Sequence, residues 1–173
     1  MKVVFVDPDR CLGCRNCERV CSLRDSGGFK REDAHIWVHI DLDTRSIFTM
    51  TCQQCEIALC LEACPTAAIA RDPVTRAVVV DETACVGCKM CVHACPFGCI
   101  HFEGKRRVAA KCDLCSGNPK CVQNCMALAL HYGDINDLAA LKREKMAKGG
   151  SDRPRSEMKT ISSETDQRRS FLP

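Results

Sequence analysis

The sequence predicts an α+β fold organised around its cysteines rather than around a large apolar core. Three observations carry that expectation. Sixteen of the 17 cysteines fall into four groups of four, short apolar runs flank those groups, and aromatic residues make up only 5% of the 173 residues. A chain of this length holds one domain, or two small halves sharing a core.

The elements follow in order. Val3-Val4-Phe5-Val6 reads as a strand entering the first group, Cys11, Cys14, Cys17 and Cys21. Residues 22–51 form an insert in which His35-Ile36-Trp37-Val38-His39-Ile40 alternates as a strand does. Ser46-Ile47-Phe48-Thr49-Met50 returns as its partner through Asp41-Leu42-Asp43-Thr44, which predicts a β-hairpin. The second group is Cys52, Cys55, Cys60 and Cys64, left by the apolar run Ala67-Ala68-Ile69-Ala70. Ala77-Val78-Val79-Val80 enters the third group, Cys85, Cys88, Cys91 and Cys95, and Cys99-Ile100-His101-Phe102 leaves it. The fourth group, Cys112, Cys115, Cys121 and Cys125, is left by Ala127-Leu128-Ala129-Leu130. The repeating unit is therefore strand, cysteine loop, short helix, strand. Pro65 and Pro96 follow two of the closing cysteines and turn the chain out of a helix. Ser22 and Met126 stand there in the other two units, which match the pattern less closely. Asp134 is placed to cap a helix over 134–147 with Ile135, Leu138 and Leu141 inward. Residues 148–173 read as a polar tail, either disordered or docked on a partner through Phe171-Leu172.

The spacing assigns the chemistry. The first and third groups read C-x2-C-x2-C-x3-C, the spacing of four-iron cluster loops, in which the fourth cysteine ligates a neighbouring cluster. The second and fourth groups lengthen only the middle gap. Thiolate sulfur suits iron–sulfur clusters, and sixteen ligands make four [4Fe–4S] clusters. Two rivals use the same residues. Disulfides are disfavoured by the odd count, by the metal-like C-x2-C repeats and by the lack of a signal-peptide pattern before Cys11. Zinc would take one tetrahedral ion per group, but a cysteine at every third position exceeds what one ion needs locally. The formal charge of +3 counts every cysteine as neutral. Four oxidised clusters would bring roughly −2 each and leave the loaded protein near about −5, so the basic pI is no argument for nucleic acid. The run Lys105, Arg106, Arg107 and Lys111 either offsets cluster charge, docks a partner or is a solvated loop. No run of about 18 apolar residues spans a membrane, export patterns are absent, and a reducing cytoplasm is the expected compartment.

At the stretches Cys11–Cys21, Cys52-Gln53-Gln54-Cys55 through Cys64-Pro65-Thr66, Cys85–Cys95-Pro96 and Lys111-Cys112-Asp113-Leu114-Cys115, the chain resembles the four-cluster electron-transfer subunits of prokaryotic oxidoreductases. The resemblance covers residues 1 to 133. It implies a double bacterial-ferredoxin-like iron–sulfur fold with the hairpin as an insert and a C-terminal helix and tail. In that arrangement 52–95 is an inner pair set within an outer pair made by 1–21 and 96–133. Carried over, the inner clusters are held by Cys52, Cys55, Cys60 with Cys95, and by Cys85, Cys88, Cys91 with Cys64. The outer ones are held by Cys11, Cys14, Cys17 with Cys125, and by Cys112, Cys115, Cys121 with Cys21. The five-residue gap between Cys115 and Cys121 is similar to the small partners of tungsten aldehyde oxidoreductases and of carbon monoxide dehydrogenases. The tungsten enzyme is favoured; carbon monoxide dehydrogenase, hydrogenase or a formate enzyme is the alternative. Met126-Ala127 departs from the Pro and Thr usual after the last ligand.

No nucleophile triad, dinucleotide loop or P-loop is present, and every cluster iron would have a full set of sulfur ligands, so the chain is not expected to be an enzyme alone. It is expected to pass single electrons between a catalytic tungsten or molybdenum subunit and a second redox subunit or carrier, within a hetero-oligomer that leaves room for end-to-end stacking. Cys99 is read as a small buried residue near the inner pair, with a ligand or redox thiol as the alternative. His35, His39, His93, His101 and His131 stand outside the ligand slots, His93 close enough in sequence to tune a cluster. Trp37 is read as hairpin packing. A zinc-binding adaptor and a cluster-based regulator remain as other classes.

Overall fold

The computed structural model describes residues 2–149. Its elements are β1 (Lys2–Val6), α1 (Asn16–Ser26), β2 (Ile36–Asp41), β3 (Ser46–Thr51), α2 (Leu59–Glu62), β4 (Ile69–Arg71), β5 (Val78–Val80), α3 (Met90–Ala94), β6 (Ile100–Glu103), β7 (Val108–Lys111), α4 (Lys120–Gln123), β8 (Leu130–Asp134) and α5 (Ile135–Gly149). The strands pair only in twos, all antiparallel: β1 with β8, β2 with β3, β4 with β5 and β6 with β7. Two-stranded ribbons are marginal by themselves, so what they enclose must hold them. The fold is the expected α+β arrangement.

Two apolar clusters form the interior. One gathers Val4, Ile36, Val38, Ala77, Leu114 and Leu130 with Cys17 and Cys121, and Ile40 and Ile47 of the hairpin pack on it. The other gathers Ala58, Ile69, Val78, Ile100 and Ala109 with Cys91, flanked by Cys60, Cys64, Cys85 and Cys95. Both cores are aliphatic, with cysteines built into them.

Several elements depart from the sequence reading. Ser22 lets α1 run on through Cys21 to Ser26, eleven residues in all, where a proline would have stopped it. The Lys105–Lys111 stretch is not one solvated loop: Val108–Lys111 is a buried strand, and Arg106 is held by Asp25 at 2.8 Å and Glu82 at 2.6 Å. Alanine at two of four positions and a lysine at the end hid that strand. Asp134 Oδ1 accepts the Asn136 N–H at 2.7 Å and caps the last helix as expected. Ile135, however, is 61% exposed rather than inward, because it stands in the first turn, where the apolar face of the helix is left uncovered. Leu138 and Leu141 are half-buried. The tail from residue 150 lies outside the described residues.

Candidate metal centres

The cysteine loops are shaped by backbone conformations that recur from unit to unit. Gly13 and Gly87 carry φ of +65° and +70° between the first two cysteines of their groups, and Arg15 and Lys89 follow at +60° and +64°. Successive left-handed residues curl the chain so that cysteines three apart face one hollow. A second repeated turn follows the closing cysteines. Ala67, Gly98 and Leu128, each three residues on, have φ of +52°, +62° and +50°. The next N–H then points back: Cys99 N–H donates to Cys95 Sγ at 3.4 Å and Ala129 N–H to Cys125 Sγ at 3.3 Å. Met126 therefore keeps the turn that Pro96 keeps. Cys21 sits inside α1 and cannot use this turn; the insert supplies its donor instead, His35 N–H at 3.3 Å. Cys85 Sγ likewise accepts from Ala109 N–H of β7 at 3.5 Å.

The loops bring the cysteines together across the sequence. Cys11, Cys14, Cys17 and Cys125 line one hollow (site I). Cys52, Cys55, Cys60 and Cys95 line another, a cavity of about 140 Å³ (site III). Cys64, Cys85, Cys88 and Cys91 line a third (site IV). Cys21, Cys112 and Cys121 share the first apolar core; burial is the main force raising the Cys121 thiol, and Cys112, Cys21 and Cys115 add to it, so these four are grouped as site II. The Cys21 thiol is pushed up to about 11, first by burial and then by Cys115 among others. Sites I and II share the first apolar core, and Cys112 of site II, pushed up to about 12 chiefly by burial, also feels Cys52 of site III. Sites III and IV share the second apolar core. Cys14, in site I, and Cys88, in site IV, are the exposed cysteines.

This donor set fits a cubane iron–sulfur cluster. Each site offers four soft sulfur ligands in apolar surroundings, with N–H groups already directed at several sulfurs, the environment that stabilises anionic cluster sulfur. Among the described residues no three Cys, His, Asp or Glu side chains converge as a single-ion site requires. Burial first, with lesser neighbours, pushes the Cys17 and Cys99 thiols up to about 12. At Cys64 burial again acts upward, but hydrogen bonds from Thr66, Ile69 and Ala68 together outweigh it and lower that thiol.

Cys99 lines the site III hollow but its own Sγ donates to the Thr51 and Phe97 carbonyls at 3.3 and 3.5 Å, and the residue is 1% exposed. It packs beside the four-cysteine set. His93 is exposed, whereas His101 packs on His35 with its ring tilted by 36° at 5.2 Å and meets Trp37 edge-on at 5.8 Å. Three polar side chains hold the sites in place: Glu18 and Gln54, to which sequence reasoning assigned no role, and Lys111, read there as part of a basic run. Glu18, 1% exposed, accepts from Val38 N–H at 2.8 Å and from Arg31 at 3.0 Å, tying the hairpin to the first cysteine helix. Gln54 donates to the Cys112 carbonyl at 2.9 Å and accepts from Val78 N–H at 2.8 Å. Lys111 is buried against the Val78 and Cys112 carbonyls. A lysine closing the run Val-Ala-Ala directly before a cysteine was the available signal.

The family of 4Fe-4S dicluster domains matches residues 43–135. A polyferredoxin-like subunit of an aliphatic sulfonate oxidoreductase from Pyrococcus furiosus is 42% identical over 70% of this chain and 70% of its own length. An iron–sulfur protein of Rhodospirillum rubrum is 34% identical over 84% and 89%. Formate hydrogenlyase subunit 2 of Escherichia coli is 31% identical over 83% and 87%.

Proposed function

From the premise that this chain belongs to the 4Fe-4S dicluster domain family, we propose that it is the electron-transfer subunit of an oxidoreductase complex, carrying four [4Fe–4S] clusters in its four cysteine sites. The four-cysteine sites, taken as a row I–II–III–IV with an exposed cysteine in each end site, carry the reading. Site I takes Cys11, Cys14, Cys17 and Cys125; site II takes Cys112, Cys115, Cys121 and Cys21; site III takes Cys52, Cys55, Cys60 and Cys95; site IV takes Cys85, Cys88, Cys91 and Cys64. The clusters supply one-electron steps between 2+ and 1+ states. The polypeptide contributes the spacing, excludes water from the interior sites and directs N–H groups at the sulfurs.

Electrons pass between a catalytic subunit at one end and a second redox partner at the other, and the chain does no chemistry on substrate by itself. Exposed apolar residues border both ends. Leu12, Met126 and Leu128 are 72%, 76% and 61% exposed near site I, and Val86 and Met90 are 67% and 52% exposed near site IV. Apolar residues around an electron port suit docking. No helix among the described residues is long and apolar enough to cross a membrane, and the cytoplasm is the proposed compartment. The short Cys115–Cys121 gap supports a tungsten aldehyde oxidoreductase as the catalytic partner. The 42% identity to a sulfonate oxidoreductase subunit supports a second reading, in which the same wire serves a sulfonate-oxidising enzyme.

Anaerobic co-purification of the full chain tests this. Recovery of a tungsten-containing subunit that reduces the chain's clusters when given an aldehyde is the expected result. Reduction only by a sulfonate, by formate or by hydrogen would replace the aldehyde reading. Failure of any bound enzyme to reduce the clusters would remove the electron-transfer role.

A further inference from the structure

We infer that the Lys111 ammonium sets the reduction potentials of the two middle clusters, at sites II and III, by holding a fixed positive charge at their junction. The inference rests on the four-cluster reading above.

Lys111 is 6% exposed, although lysine is among the residues least often buried without a charge partner. Its Nζ donates to the Val78 carbonyl and, at 2.9 Å, to the Cys112 carbonyl. Among the described residues no carboxylate lies within ion-pairing distance of it. Two carbonyls satisfy hydrogen bonds but do not neutralise a buried cation, whose desolvation is costly unless an anion is near. The carboxylates that line a different hollow with it, Asp25, Glu82 and Asp113, are each paired with an arginine, and the other ionisable groups of the site III hollow are cysteines. Lys111 lines the site III hollow together with Cys52, Cys55, Cys60 and Cys95. Its charge acts on Cys55 and Cys60 of site III and on Cys112 of site II. The missing counter-anion is therefore the pair of clusters themselves.

Gln54 fixes the geometry from the other side. It takes the same two residues, donating to the Cys112 carbonyl at 2.9 Å and accepting from Val78 N–H at 2.8 Å. The ammonium is thus held at the seam between the two apolar cores, where Cys112 of one meets Val78 of the other. Adding an electron makes a cluster more anionic. A cation in this poorly screened position stabilises the reduced form more than the oxidised one. Lys111 lines neither the site I hollow nor the site IV hollow.

The test is a potentiometric EPR titration of the loaded full chain and of Lys111→Met, Lys111→Gln and Lys111→Arg. Methionine keeps the length and loses the charge, glutamine keeps a donor for the carbonyls, and arginine keeps the charge. Loss of the charge should lower the reduced-to-oxidised ratio of the middle clusters about tenfold at a fixed potential, which is about 59 mV for a one-electron couple. The end clusters should stay in place and Lys111→Arg should restore the middle ones. Unchanged potentials in a fully loaded Lys111→Met or Lys111→Gln protein would leave Lys111 a bolt between Val78 and Cys112 and overturn the inference. Loss of iron from both neutral variants would do so too, making it an assembly residue. A wild-type protein without four clusters would fail the underlying reading instead, and that is seen before any variant is made.

Discussion

Gly87→Ala, compared with Gly13→Ala, probes how tightly the cysteine loops are set. Both glycines sit in the same position of their loops with φ of +70° and +65°, so either alanine incurs the left-handed penalty of about 1–2 kcal/mol. The surroundings differ. A Cβ on Gly87 would lie 2.7 Å from the Arg107 carbonyl oxygen and 3.3 Å from Phe102 Cε2. The carbonyl belongs to the turn between β6 and β7, which cannot yield without shifting the strand that carries Ala109 N–H to Cys85 Sγ. A Cβ on Gly13 would meet the Cδ1 atoms of Ile40 and Ile47, both at 3.2 Å, and Ile40 Cγ1 at 3.5 Å, and side-chain ends can rotate away. Overpacking against fixed backbone adds a further cost of about 1–3 kcal/mol. Gly87→Ala should therefore destabilise by about 3 kcal/mol in all and Gly13→Ala by about half of that. At about 2–4 °C per kcal/mol for a domain of this size, the thermal midpoint should fall by about 9 °C and about 4 °C. Thermal loss of cluster absorbance under anaerobic conditions, with iron counted before and after, gives the comparison. Equal losses in the two variants, or a larger one for Gly13→Ala, would refute the reasoning.

Other expectations follow from single contacts. Cys99→Ala should retain its full iron content, measured anaerobically, because its thiol donates to two carbonyls; loss of a cluster would make it a ligand. Arg24 pairs with Asp113 through two contacts of 2.6 Å at a half-exposed site, so Arg24→Ala should cost about 1 kcal/mol in denaturant unfolding, less in high salt. His101 has its pKa lowered, first by burial and then by His35. The unfolded chain therefore binds a proton that the folded chain refuses, and the neutral ring's full contribution is present above about pH 6.5 and lost as pH falls below it. Stability measured between pH 7.5 and about 5 should slope downward in the wild type, and His101→Gln should flatten that slope.

The legible and illegible parts of this fold separate on physical grounds. The cysteine groups are local patterns whose spacing is itself the chemistry, so their positions were readable. The hairpin was readable because Ile36, Val38 and Ile40 alternate over a polar turn at Asp41, whose Oδ1 accepts from Asp43 N–H at 2.9 Å. β7 was not, because Ala109 and Ala110 have no strong strand preference and their burial comes from pairing with β6. The length of α1 depended on one absence, a proline after Cys21. Ile135 was misplaced because periodicity picks a helix face and not how far along the helix that face is covered. The long-range shell was beyond reach altogether. Gln54 contacts Cys112 across 58 positions and Lys111 contacts Val78 across 33, and nothing in either local segment marks the other.

Anaerobic iron, sulfide and zinc analysis of the purified full chain, with EPR after dithionite reduction, tests the central claim most directly. The account predicts about sixteen iron and sixteen sulfide per chain, with interacting S = 1/2 signals from neighbouring clusters. About four zinc ions with little iron, in protein never exposed to air, would contradict it and make the cysteine groups structural zinc sites.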